Sequence, residues 1–138
     1  MRKFLLVGAA LMSFSSAAVA AAEEAHEAPV RTYVNSNVRP WISDPLIIAS
    51  IKAQNTAHAA LDQAGIESLD QKWRAEVESD DHPMVDAVLA NPLSVFLRKK
   101  QDASDGAITE LFVMDAKGLN VGQSDVTSDY WQGDEAKF

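Results

Sequence analysis

The chain has no cysteine among its 138 residues, which excludes a disulfide framework, a thiolate metal site and a thiol nucleophile. It is also short of base: 12 Lys and Arg stand against 20 Asp and Glu, a formal charge of −8. A nucleic-acid partner would need a basic patch, and such a surface offers anionic lipid head groups no attraction. No Gly-x-Ser-x-Gly elbow is present. His26, His58 and His82 stand far apart, without zinc-ligand spacing. Asp125, Thr127 and Asp129 resemble the start of a calcium loop, but its sixth position is Tyr130 and its twelfth Ala136. An EF-hand is excluded, leaving an irregular site through Asp125, Asp129 or Asp134 as a minor alternative. The expectation is a protein that is not an enzyme and carries neither metal nor cofactor.

What is present begins with an export signal at residues 1–20. Arg2 and Lys3 make a positive start, and Phe4 to Phe14 an apolar core too short to span a bilayer. Ala18-Val19-Ala20 fits the small-residue cleavage rule, with Ala20-Ala21-Ala22 as competitor. Removing Arg2 and Lys3 leaves 10 basic against 20 acidic residues, a charge of −10. A periplasmic or secreted protein without stable membrane insertion is implied.

Residues 21–40 show no periodicity and read as an irregular linker. Helices follow. Ser43 or Asp44 can cap a helix with Pro45 in its first turn, running to about Gln63 with Ile47, Ile48, Ile51, Ala57 and Leu61 on its apolar side. Gly65 is expected to close it, and Ser68-Leu69-Asp70-Gln71 to open the next as a capping box. Leu69, Trp73 and Val77 then form a core-facing stripe. Pro83 starts a short helix carrying Met84, Val85, Val88 and Leu89. Asn91-Pro92 starts another with Leu93, Phe96 and Leu97 buried and Arg98, Lys99 and Lys100 at its solvated end.

The segment Ile108 to Ser124 reads as a β-hairpin. Its first arm, Ile108 to Met114, is rich in β-branched and large apolar residues. Asp115-Ala116-Lys117-Gly118 supplies the turn, with Asp bonding the backbone ahead and Gly accepting a positive φ. The return arm, Leu119 to Ser124, is more polar. Helices followed by a hairpin give an α+β class.

The run "VMDAKGLNVGQSD" (Val113–Asp125) followed by "VTSDYWQGDEAKF" (Val126–Phe138) resembles the extracytoplasmic PAS-like sensor family called Cache or PDC domains. The likeness covers roughly Pro45 to Phe138 and is specific over the last thirty residues or so, giving residues 41–138 as a partial domain. The resemblance implies helices packed on the hairpin that begins an antiparallel sheet, with an aromatic loop walling a ligand pocket. It also implies three more strands, which the chain does not contain before it stops at Phe138.

Two functions follow. One is a periplasmic module that binds or senses a small molecule, with Tyr130 and Trp131 as apolar wall and Ser124 and Asp125 as polar contacts. Asp125 suits an amine and Lys137 a carboxylate, so an amine, an amino acid or a carboxylate is the expected ligand. A separate membrane receptor is the candidate recipient of its state. The other is a structural or protein-interaction domain whose aromatic loop docks a partner. In both, Tyr130 and Trp131 can equally be core.

Overall fold

The computed structural model describes residues 27–135; the leader, its cleavage site and Lys137 lie outside them. The chain divides into two units, Met1–Trp41 and Ile42–Phe138. No helix among the described residues is long and apolar enough to cross a membrane.

In the first unit, residues 27–33 are helical and continue into a π-helix, Val34–Val38. This differs from the irregular linker expected over 21–40. The support is polar and local, so an apolar periodicity could not reveal it. Arg31 pairs with Glu27 at 2.9 Å, Thr32 Oγ1 donates to the Ala28 carbonyl, and Trp41 Nε1 to that of Asn37.

The second unit holds helices α1 (Pro45–Ala57), α2 (Gln63–Val77), α3 (Pro83–Ala90) and α4 (Pro92–Asp102), then strands β1 (Phe112–Met114) and β2 (Asn120–Gln123). It is the α+β fold expected. Asp44 caps α1 by accepting from Leu46 N, and Asn91 caps α4 by accepting from Ser94 N.

Two helix boundaries differ from expectation, the end of α1 and the start of α2. Helix α1 stops at Ala57, and Asp62 caps α2 by accepting from Gly65 N. Gly65 therefore sits in the first turn of α2, where a Cβ would meet Leu61 Cδ1 at 2.6 Å. It is a packing glycine, and the supposed capping box Ser68–Gln71 lies inside the helix. The sequence between the helices is rich in alanine, so propensity alone would carry a helix through it. The break is held by distant bonds: Lys117 Nζ donates to the carbonyls of Ala59 and Leu61. Helix α3 has no side-chain cap of its own. The buried carboxylate of Glu76 in α2 supplies one, accepting from Met84 N at 2.6 Å and Val85 N at 3.2 Å.

The antiparallel pair is shorter than the expected hairpin. Phe112 faces Gln123, Val113 faces Gly122 and Met114 faces Asn120, which leaves Val121 as a bulge. The turn is as expected: Gly118 N donates to Asp115 O, and Gly118 has φ +81°. Segment 130–132 lies along the other edge of β2, with a bridge between Leu119 and Trp131.

Ile66, Trp73, Val85, Leu119 and Tyr130 form the buried cluster, joined at its border by Leu61, Leu69, Met84, Val88, Leu89 and Trp131. Trp73 is fully buried, as its stripe required, but Val77 from that stripe is 41% exposed.

Candidate functional site

The densest polar contact joins the end of α1 to the hairpin turn. The side of α1 that packs inward carries Ile47 and Ile51, but also Gln54, Asn55 and His58, whereas Ile48 and Ala57 face out. Gln54 Nε2 lies 3.0 Å from Asp115 Oδ2 and 3.3 and 3.2 Å from the carbonyls of Leu119 and Asn120. His58 Nδ1 is 2.8 Å from the same carboxylate oxygen, and Asn55 Oδ1 accepts from Ala116 N. Asp115 Oδ1 accepts from Lys117 N and Leu119 N. Burial alone would push the Asp115 carboxyl up; the bonds from Gln54, His58, Lys117 and Leu119 outweigh it and hold it below the usual carboxylate range. Asp115 is then the acceptor and His58 Nδ1–H the donor, which leaves Nε2 as the other ring nitrogen's site. An open hollow of about 390 Å³ beside α1 is lined by Ser50, Gln54, His58 and Asn91.

The aromatic segment is anchored by α2. Asp70 Oδ1 accepts from the backbone N–H of both Tyr130 and Trp131 at 2.9 Å. Its Oδ2 accepts from Arg74 Nε at 2.7 Å, and Arg74 Nη1 lies 3.0 Å from Asp129 Oδ1. The hydrogen bond to Asp70 and the neighbouring carboxylates raise the Arg74 guanidinium above its usual value. So fixed, Tyr130 stacks on Trp73 with ring centroids 5.4 Å apart and planes at 25°. Burial, and next the charge of Asp115, push its phenol up to about 12. Trp131 is half-buried, its Nε1 donating to Lys117 O at 2.9 Å.

The return strand carries the third group. Asn120 and Gln123 have no exposed surface at all. Asn120 Nδ2 reaches Gln123 Oε1 at 2.9 Å, Thr127 Oγ1 at 3.1 Å and Asp129 O at 3.2 Å. Ser94 Oγ accepts from Gln123 N and donates to Val88 O. Yet Asn120 Oδ1 and Gln123 Nε2 are buried with no hydrogen-bond partner among the described residues. Immediately after them comes Ser124, buried, whose Oγ accepts from Leu111 N and whose carbonyl accepts from Arg98 Nε. Ser124 and the exposed Asp125 line a hollow of about 450 Å³ together with Arg98, Gln101 and Asp102.

The four residues expected to form one site are thus divided. Ser124 and Asp125 meet at the hollow beside α4. Tyr130 is in the core, stacked on Trp73, and Trp131 packs at the core's border against the turn. Of the acidic residues considered for calcium, Asp129 is engaged by Arg74, and no group of three His, Asp or Glu among the described residues is arranged to hold a metal ion. Sequence reasoning missed Asp70, Arg74, Gln54 and Glu76. Gln54, Asp70 and Arg74 are polar residues on helix flanks with partners far along the chain, and Glu76 reaches forward to the start of the next helix, 8 and 9 residues on; no local pattern marks any of them. Arg98 is exposed, as expected of a solvated helix end, and also ties α4 to the return strand.

No protein-family model, curated protein or solved structure matches the chain.

Proposed function

We propose that the Ile42–Phe138 unit is a small-molecule binding and sensing module of Cache (PDC) type that works outside the cytoplasm. The observation that carries the reading is the pair of unpartnered atoms on β2, Asn120 Oδ1 and Gln123 Nε2. Leaving a buried polar group unsatisfied costs about 1–3 kcal/mol each, and sequences retain such costs chiefly where they serve a function. One is an acceptor and the other a donor, a pairing suited to a polar metabolite. The order of elements, the Asp115-x-x-Gly118 turn and the aromatic segment folded back on the hairpin accord with the same family. The charged leader, with its apolar core and small-residue end, supports export. A separate membrane receptor is the natural recipient of the bound state.

The test is a thermal-shift screen of the full chain against amines, amino acids and short carboxylates. A ligand at a hundred times its dissociation constant adds about 2.7 kcal/mol, a shift of several degrees for a domain of this size. Gln123→Met keeps the volume and removes the amide, and it should lose the ligand-induced rise. A rise that survives in Gln123→Met removes the buried amide from the reading, and no rise with any compound rejects the module.

A further inference from the structure

The hollow beside α4 has a charge pattern of its own. Arg98 is fixed on one wall by its bonds to Ser124 O, at 3.2 Å, and Leu89 O, at 3.5 Å. Gln101 is held by Thr109 O at 2.6 Å. Ser124 is 3% exposed, and its Oγ accepts from Leu111 N, so the hydroxyl proton has no acceptor among the described residues. Asp125 uses one oxygen on Val126 N, which sets its rotamer and leaves the other oxygen open. Neither Arg98, Asp102 nor Asp125 has an ion-pair partner among the described residues. A cationic donor and a hydroxyl donor thus share one hollow with two carboxylates, and its volume of about 450 Å³ is in the range of small-ligand sites.

We infer that this hollow binds a small ammonium–carboxylate zwitterion. The carboxylate lies on Arg98 and the Ser124 hydroxyl, a charge-assisted arrangement with a planar donor. The ammonium lies on Asp125, with Asp102 adding to the field. A simple amine would leave Arg98 unmatched, and a simple carboxylate would face Asp102 and Asp125. The inference rests on the binding-module reading above but not on its two buried amides, which do not line this hollow; it names the ligand class and the residues that select it. It places selection at the end of α4, away from the aromatic segment.

The experiment is calorimetric titration of the full chain with β-alanine, propylamine and propionate at low ionic strength, since the charges are exposed and salt screens them. β-Alanine should bind about fivefold tighter than either singly charged analogue, the worth of one exposed ion pair. Asp125→Asn retains an acceptor for Val126 N, so its melting temperature should be unchanged while β-alanine falls to the level of propionate. Propylamine binding as tightly as β-alanine overturns the inference, because the carboxylate is then not read. Equal binding by wild type and Asp125→Asn also overturns it. If zwitterions fail while another class raises the melting temperature, this inference falls and the binding-module reading stands. If no class binds, both fall.

Discussion

The two arms of the hairpin reverse the usual relation between hydropathy and burial. Strand β1, Phe112-Val113-Met114, is wholly apolar yet only half-buried throughout. Strand β2, Asn120-Val121-Gly122-Gln123, is half amide and fully buried. The difference lies in what each arm meets. β2 lies between β1 and segment 130–132, while the ends of α1 and α4 reach its backbone: Gln54 donates to Asn120 O and Asn91 Nδ2 to Val121 O. β1 pairs only with β2 among the described residues. Burial here follows from the hydrogen bonds available to a strand, and a polar strand whose backbone finds partners on both sides can occupy the centre.

The strongest way to break the contrast is to remove what β2 and the aromatic segment rest on. Trp73→Ala deletes the ring under Tyr130 and the indole bond to Thr127 O, 2.8 Å long. A loss of about 3–5 kcal/mol is expected, enough to unfold much of a marginal domain, and denaturant titration measures it. Next comes a matched pair of leucines. Leu119 leads into β2 with 0% exposure, and Leu111 precedes β1 half-buried. Leu119→Ala should cost about 2–5 kcal/mol and Leu111→Ala about half of that. Equal losses in the two variants would mean that β1 is as much core as β2.

A third probe is pH. Asp115 has its carboxyl lowered in the folded state, so its contribution is complete above the ordinary carboxylate range and is lost as pH falls through the folded value. Melting temperature should therefore drop on acidification below about pH 4, and Asp115→Asn should start lower and show a shallower acid limb. An unchanged acid limb in that variant would show that the turn carboxylate does not couple to folding.

These same residues show where the sequence was legible. Asp44-Pro45, Pro83 and Asn91-Pro92 announce helix starts because a cap and a first-turn proline act within a few residues. The Asp115 to Gly118 turn is local in the same way, and Trp73 follows from helical spacing. The break between α1 and α2 is not local: it depends on Lys117, which lies 56 residues from Leu61. Nor is the anchoring of Tyr130 and Trp131 local, since it depends on Asp70, 60 and 61 residues away. The polar return arm was misleading for a related reason. Asn and Gln are ordinarily exposed, and only the partners supplied by Ser94, Thr127 and Asp129 allow them inside. In the candidate site, Ser124 and Asp125 are legible because they adjoin the hairpin, whereas nothing local marks the bond from Arg98 to the Ser124 carbonyl, 26 residues away.

The smallest expected effect concerns Trp131, and it separates this residue from Tyr130 beside it. Trp131 meets β2 through its backbone, in the bridge to Leu119, and meets the turn through its indole, whose Nε1 donates to Lys117 O at 2.9 Å. Trp131→Phe retains the bridge and most of the apolar contact but removes that one donor. Lys117 O belongs to a turn that solvent reaches, so water can replace the lost donor and the cost should be about 0.5–1.5 kcal/mol. Tyr130→Ala removes a ring stacked on Trp73 that is 5% exposed and should cost about 3–5 kcal/mol. Thermal melts of the two variants side by side decide the matter. A Trp131→Phe loss as large as that of Tyr130→Ala would make the whole aromatic segment core and remove Trp131 as a contact for any ligand.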